Sequence, residues 1–419
     1  MRKRYTIVMQ SNDLPHFCGI DIGTSTVRCV VGAINQAGEP EIIGFGSAPN
    51  GGMRKGVVVL PDEVSHAISV AVEEAARHSG RTIRHATVNI NGSHVTGSDS
   101  KGVIAISAAN REITAEDQAR VEDAATIMQM PANREIIQVF PKSYRLDGQE
   151  NIKNPVGMRG VRLEVDAHIV TASTPSVRSA ETALHSAGVE PAHKTVSSLA
   201  SAEATMTRQQ KEAGTLLLDI GAGTSNIVVI EEGEVQHVAV LPIGGNNITN
   251  DLAIGLKTDL DIAERVKLEF VSLGSHPIKA IAAIQSGGKQ HTFKGDEVKM
   301  IVEARVEELF ELVDRELKTI HKSRKLPGGI VITGGTSKIP GIEEVAKEKL
   351  QLSAHVGEVR GVGGLADITS DNSYTTAIGL LLLDMLLAGS EESSGETHRS
   401  GGPVGSLKSV LKRFARRQD

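Results

Sequence analysis

The sequence predicts an α/β protein made of two similar domains, and three observations carry that prediction. The stretches GIDIGTSTVRCVVG (19–32) and LLLDIGAGTSNIVVI (216–230) share one pattern: a hydrophobic strand ending in Asp-Ile-Gly, a Gly/Thr/Ser turn, and a second strand. Strand-like runs alternate with segments of helical period between residues 61 and 320. A third cluster, KLPGGIVITGGTSKIPGI (325–342), again runs strand, glycine turn, helix.

Each hairpin turn is suited to holding an anion. Glycines let backbone N–H groups converge without a Cβ in the way. Gly23, Thr24, Ser25 and Thr26 supply such a turn in the first copy, and Gly221, Gly223, Thr224 and Ser225 supply it in the second. Asp21 and Asp219 end the leading strands, where a carboxylate can hold Mg²⁺ through water. Both are flanked by apolar residues, so a cation is the natural compensation for their charge. One hairpin alone also fits a tight β-turn with Asp at its mouth; the repetition favours phosphate. In the third cluster, Gly334 and Gly335 ahead of Thr336 and Ser337 allow a base or ribose to lie close to the backbone, before a helix N-terminus. No GxxxxGK[ST] sequence occurs, and GAGTSN at 221–226 lacks the third glycine of a dinucleotide fingerprint. The nucleotide reading therefore requires the three clusters to converge.

With 419 residues, 40% hydrophobic and 23% charged, the chain has the composition of a soluble protein of two or more domains. Aromatics make up 2%, so the cores must be built from Val, Ile, Leu and Ala. Two cysteines, Cys18 and Cys29, argue for a reducing cytoplasm rather than a disulfide scaffold. The opening MRKRYTIVMQSND has no apolar run of signal-peptide length, and the longest apolar stretch, 378–388, is interrupted by Asp384 and too short to cross a bilayer. The 14 His show no metal-ligand spacing, so no structural metal is expected.

Along the chain, Val64, Ala67, Ile68, Ala71, Val72 and Ala75 recur at helical spacing over 61–80, with Asp62 placed to cap and Gly80 to stop. A strand is expected at 85–91. A second helix, 114–130, opens with Thr114 and Asp117 in a capping-box arrangement. Strand-like runs at 103–107, 136–144 and 161–171 surround it, so 93–171 reads as a small α/β module inserted into the first domain. A long helix over 296–320 sets Val298, Ile301, Val302, Val306, Leu309, Val313 and Leu317 against an acidic face.

The C-terminal end differs in character. GSEESSGETHRSGGPV (389–404) cannot bury a core and is expected to be a flexible tether, spanning roughly 20–24 Å on average. Beyond it Leu407, Val410, Leu411 and Phe414 fall at i, i+3, i+4 and i+7, with Lys408, Lys412, Arg413, Arg416 and Arg417 around them. Against Asp419 alone these five cations make residues 405–419 +4 within a chain of −6, which leaves −10 for the rest. The pattern is that of an amphipathic helix lying on an anionic membrane surface; the other reading is a helix docking onto the protein itself. No nucleic-acid partner is expected.

The order hairpin, connecting helix, hairpin, Gly-Gly-Thr turn resembles the actin and heat-shock chaperone ATPase superfamily, in which two similar domains close on ATP. Within it, SLASAEA (198–204), LPIGGNNITNDLAIGL (241–256), DIAERVK (261–267), the inserted module and the basic tail resemble the FtsA family of bacterial cell-division proteins. The resemblance implies an actin-like two-domain fold (ribonuclease H-like duplication) with an inserted small α/β subdomain and a C-terminal amphipathic helix. It implies subdomain 1A at 15–92 with 172–212 and 366–388, 1C at 93–171, 2A at 213–246 with 326–365, and 2B at 247–325. The linker is then 389–404 and the membrane helix 405–419. It puts Thr24, Ser25 and Thr224 on the phosphates of ATP with Mg²⁺, Gly244 and Gly245 near them, Glu264 and Lys267 at the ribose and adenine, and Gly334 to Thr336 around the nucleoside. Ser197 and Ser198 stand where hydrolysing relatives place Glu or Gln, so weak hydrolysis at most is implied. The implied function is a self-associating protein on the cytoplasmic face of the cell membrane at the division site, tethering the FtsZ ring. A pilus-assembly adaptor and a metabolic kinase of the same superfamily are the alternatives.

Overall fold

The computed structural model describes residues 15–107, 111–277 and 279–391; the expected membrane helix, Leu407 to Arg417 included, lies outside them. Two sheets form the frame. The first runs in the order Glu190–Val196, His85–Ile90, Phe17–Ile22, Thr26–Ile34, Pro40–Pro49, with the short Gly363–Gly364 at its edge. The second opens in the order Ala354–Val356, Ile330–Thr333, Thr215–Ile220, Ser225–Glu231, Glu234–Leu241. In both, two parallel strands lead into an antiparallel meander that begins with the Asp-Ile-Gly hairpin. The repeat in sequence is therefore a repeat in topology.

The run of Leu216, Leu217 and Leu218 has no polar alternation because both faces of its strand are covered. Leu216, Leu218 and Ile220 enter one core with Val298, Val302, Val306 and Phe310 of the helix Gly295–Thr319. Leu217 faces the other way, into a core with Leu380 and Leu383 of the helix Thr375–Glu391. That last helix also packs Ile378, Leu381 and Leu382 under the first sheet, against Val30 and Ile42. It is apolar nearly all round because it lies between the two halves. Among the described residues no helix is long and apolar enough to cross a membrane. Gly379 lets it press on the connecting helix Ser197–Thr205: a Cβ there would sit 1.8 Å from the Ala200 carbonyl oxygen.

Several local expectations change in detail. The first long helix is Pro61–Ser79 and ends on left-handed Gly80, but Leu60 is its N-cap, with Pro61 at the first helical position. Asp62 lies inside the first turn, where its charge meets the positive end of the helix, and does not cap it. Thr114 and Asp117 form the expected capping box, yet that helix is Ala115–Ala125 and stops at Thr126. The last helix continues to Glu391, three residues into the segment expected as tether. Cys18 and Cys29 are free, buried thiols with Sγ atoms 3.5 Å apart.

The insert holds three long antiparallel strands, Thr96–Ala105, Arg162–Ser173 and Arg134–Leu146, with Gln149–Ile152 at the edge. Arg134 ties their roots together, donating to the Thr171 hydroxyl and to the carbonyl oxygens of Thr171 and His94. This sheet extends the second half's sheet through one pair, Ala239 opposite Thr96.

Candidate nucleotide cleft

Asp21 and Asp219 end equivalent strands and face one another across the boundary between the halves. Asn89, one strand over, holds Asp21. Its Nδ2 donates to Asp21 Oδ1 at 2.7 Å and to Ser197 Oγ at 3.0 Å, while its Oδ1 accepts the Ile22 N–H at 2.8 Å. Asp219 takes two of its partners from the other half: Ser201 Oγ of the connecting helix and Thr376 Oγ1 of the last helix each donate to Oδ2 at 3.1 Å, and Asn226 of its own half bonds it as well. Burial raises both carboxyls above the usual range. Asp21 is pushed up to about 7, with the nearby Asp219 charge adding to burial and Arg28 and Asn89 opposing it. Two buried carboxylates, one raised further by the charge of the other, call for a cation beside them.

Arg28 is the protein's own cation at this place. It stands directly opposite Asp21 in the antiparallel register, so both side chains leave the same face of the sheet. Its guanidinium lies 5.3 Å from the ring centre of Tyr374 and lowers the pKa of both aspartates. Its Nε is buried without a hydrogen-bond partner, as is Ser198 Oγ at the head of the connecting helix. Buried donors left open in this way suit a polar ligand.

The two glycine turns meet. A Cβ on Gly223 would lie 2.8 Å from Thr24 Cγ2, and Asn91 of the first half donates to Thr224 Oγ1 at 3.1 Å. Thr24 Oγ1 in turn accepts the Gly56 N–H at 3.1 Å. Gly23 turns tightly enough that a Cβ would meet the Thr26 carbonyl oxygen at 2.5 Å, and Ser25 stays exposed beside it. Ser225 is directed inward: its hydroxyl donates to the Ile243 carbonyl at 2.9 Å and is fully buried.

Gly244 and Gly245 pack on the second turn within their own half. The Gly221 carbonyl accepts the Gly245 N–H at 2.9 Å and the Thr336 hydroxyl at 3.0 Å. Lys267 bonds Glu264 at 2.7 Å and Thr249 Oγ1 at 3.0 Å, and its Nζ would stand 3.5 Å from a Cβ on Gly245. The third cluster closes the ring. Gly334 has φ of +87°, and a Cβ there would lie 2.4 Å from Asp219 Oδ1. Gly335 opens the 3₁₀ turn Gly335–Lys338 that carries Thr336.

Residues 92–171 match the family model described as SHS2 domain inserted in FTSA, and residues 216–379 match Cell division protein FtsA. The Cell division protein FtsA of Pseudomonas aeruginosa is 35% identical over 412 residues, covering 94% of this chain and 96% of that one. The chain belongs to the FtsA family. The FtsA of Bacillus subtilis is 36% identical, covering 89% of this chain and 84% of its own, and that of Escherichia coli K12 is 29% identical with 89% and 91% covered. Among solved structures, a PilM–PilN type IV pilus biogenesis complex superimposes with a TM-score of 0.65 at 18% identity, covering 88% of this chain and 98% of that one. MreB5 of Spiroplasma citri bound to ADP gives 0.54 at 13% identity, covering 90% and 98%. These two likenesses establish the actin-like fold.

For this FtsA-family chain, the fold brings Asp21, Gly23, Thr24, Asp219, Gly221, Gly223, Thr224, Gly244, Gly245, Lys267, Gly334 and Thr336 into one connected set of contacts. Ser225 has its hydroxyl inside the fold, and Glu264 joins the set through Lys267. Sequence reasoning missed Arg28, Asn89, Asn91, Ser201 and Thr376. Arg28 alone had a local signal, a lone cation seven residues after Asp21 on the returning strand.

Proposed function

We propose that this chain binds ATP with Mg²⁺ in the cleft, self-associates in the ATP-bound state, and tethers the FtsZ ring to the cytoplasmic face of the membrane at the division site. The observation that carries the nucleotide reading is the meeting of two glycine turns, one from each half, beside Asp21, Asp219 and the open Nε donor of Arg28. Thr24, Gly223 and Thr224 would hold phosphates, with Arg28 adding charge. Asp21 and Asp219 would hold Mg²⁺ through water, and Gly334, Thr336, Glu264 and Lys267 would hold the nucleoside. A bound Mg²⁺ supplies charge neutralisation between the two aspartates. Because its partners come from both halves, the nucleotide acts as a clamp holding them closed. Ser197 accepts a hydrogen bond from Asn89 at 3.0 Å and offers no carboxylate or carboxamide of its own to orient water, which supports slow hydrolysis.

The membrane reading rests on the sequence pattern of residues 405–419. Each basic residue near an anionic surface contributes about 1 kcal/mol, so one tail binds reversibly and an array of tails binds by avidity. The FtsZ reading rests on family membership. The testing experiment is co-sedimentation with acidic vesicles, with and without ATP, comparing the full chain with a truncation at residue 404. ATP binding should survive the truncation while sedimentation is lost; sedimentation of the truncated chain would refute the anchor. Capture by an immobilised FtsZ C-terminal peptide checks the partner.

A further inference from the structure

By chain order the insert belongs to the first half, since residues on both sides of it return to the first sheet. Its strand Thr96–Ala105 nonetheless meets the second half's strand Glu234–Leu241 at the single pair of Thr96 with Ala239. Past that pair a groove of about 380 Å³ lies between the two, lined in part by Asp99, Lys142 and Gln236. A side chain takes the place of the next rung. His168 of strand Arg162–Ser173 reaches over Gly97, where a Cβ would lie 2.2 Å from the ring Nε2. That Nε2 accepts the Val238 N–H at 3.0 Å. The other ring nitrogen, Nδ1, pairs with Asp99 Oδ1 at 2.7 Å. Because Nε2 accepts, the ring is neutral and its proton sits on Nδ1.

The surroundings of this imidazole are specific. Lys142 Nζ holds the second oxygen of Asp99 at 3.0 Å. From the opposite side the His237 ring lies 5.4 Å away, centre to centre, and His237 Nε2 pairs with Glu316 of the helix Gly295–Thr319 at 3.1 Å. His168 is itself buried, while Asp99 is open to the groove and links the ring to solvent.

We propose that His168 is a proton-operated latch between the insert and the second half of the molecule. In the neutral state it supplies an acceptor that binds the edge of strand Glu234–Leu241 beyond Ala239. A proton taken from solvent onto Nε2 turns that acceptor into a donor facing the Val238 N–H. The bond is lost, and the imidazolium stands beside His237. Burial holds the imidazole below its ordinary range, His237 and Lys142 act in the same direction, and Asp99 opposes them. The released ring therefore binds a proton more tightly than the latched one. The latch is fully present above the ordinary imidazole range and weakens as pH falls below it. While latched, the insert moves with the second half when the halves open or close; released, it is free to follow the first half. This inference stands apart from the nucleotide reading.

Hydrogen exchange of the full-length chain tests it, following the Val238 amide against that of Val228 in the neighbouring ladder. Between about pH 8 and about pH 5 the normalised protection of Val238 should fall about tenfold, the loss of one hydrogen bond. His168→Gln cannot be protonated and should abolish the pH step, whereas His237→Gln should keep it. A wild-type Val238 that holds its protection across this range would overturn the latch. So would a pH step that persists in His168→Gln, or one that disappears only in His237→Gln.

Discussion

Thr24 and Gly223, from turns about 200 residues apart, are in contact: a Cβ on Gly223 would come 2.8 Å from Thr24 Cγ2 and 3.1 Å from its Cβ. The backbone of Gly223 is not in the left-handed region, so a side chain there is resisted by the opposing turn and not by its own φ. Gly223→Val should therefore fold normally and hold the halves apart. We expect an ATP affinity at least about tenfold weaker with little change in thermal midpoint, since the added methyls meet the Thr24 side chain of the other half and not a hydrophobic core. Equal ATP affinity in Gly223→Val and wild type would show that this contact does not set closure.

The buried Nε of Arg28 has no hydrogen-bond partner while its charge acts on both Asp21 and Asp219, which leaves a charged donor open to a ligand. Arg28→Ala should weaken ATP and ADP by about 10- to 100-fold, the range for a charged hydrogen bond, and leave adenosine binding unchanged. Arg28→Lys should recover part of the loss. Competition titrations with the three ligands separate this from a packing defect beneath Tyr374, which would weaken all of them alike.

Asp21 predicts a pH dependence of sign opposite to that of most acidic residues. Its carboxyl is raised from 3.8 to about 7 in the fold, so between those values the folded chain binds the proton more tightly than the unfolded one. Stability is contributed at low pH and lost as pH rises through about 7. Asp21→Asn removes this loss. Without ligand it should be more stable than wild type at pH 8, by no more than about 4 kcal/mol because Asp21 keeps some solvent contact, and similar to it at pH 4. Saturating Mg-ATP should stabilise the wild type and close the gap. Denaturant titrations at both pH values decide it; parallel behaviour of the two proteins would contradict it.

At Gly334 two costs combine. Its φ of +87° disfavours any side chain, and a Cβ would lie 2.4 Å from Asp219 Oδ1 and 2.6 Å from the Ile220 carbonyl oxygen. Gly334→Ala should lose about 2–4 kcal/mol of stability, read from urea midpoints, and weaken nucleotide binding through displacement of Asp219. A loss below about 1 kcal/mol would mean that the turn relaxes easily.

Legibility in the sequence followed the range of the interaction involved. The two hairpins, the helix Pro61–Ser79 with Gly80 behind it, the Thr114 capping box and the helix Gly295–Thr319 are written in local period and turn chemistry, and each formed within a few residues of its expected place. Asp62 was misread because a proline at the first helical position moved the cap to Leu60, a choice made by the chain entering the helix.

Two equivalent strand–turn–strand units, three glycine clusters, a C-terminal run of apolar residues at helical spacing among cations, and membership in the FtsA family are all written in the order of residues alone. Those features depend on spacing within short windows, which composition and order express directly. Folding alone brings Asn89 to Asp21, carries Thr376 across to Asp219, turns the Ser225 hydroxyl inward, and sets His168 of the insert on the Val238 N–H of the second half. Each of these is a contact between residues 18 to 157 positions apart. Their partners are set by which strands lie side by side and in what register, and no local pattern of residues records that.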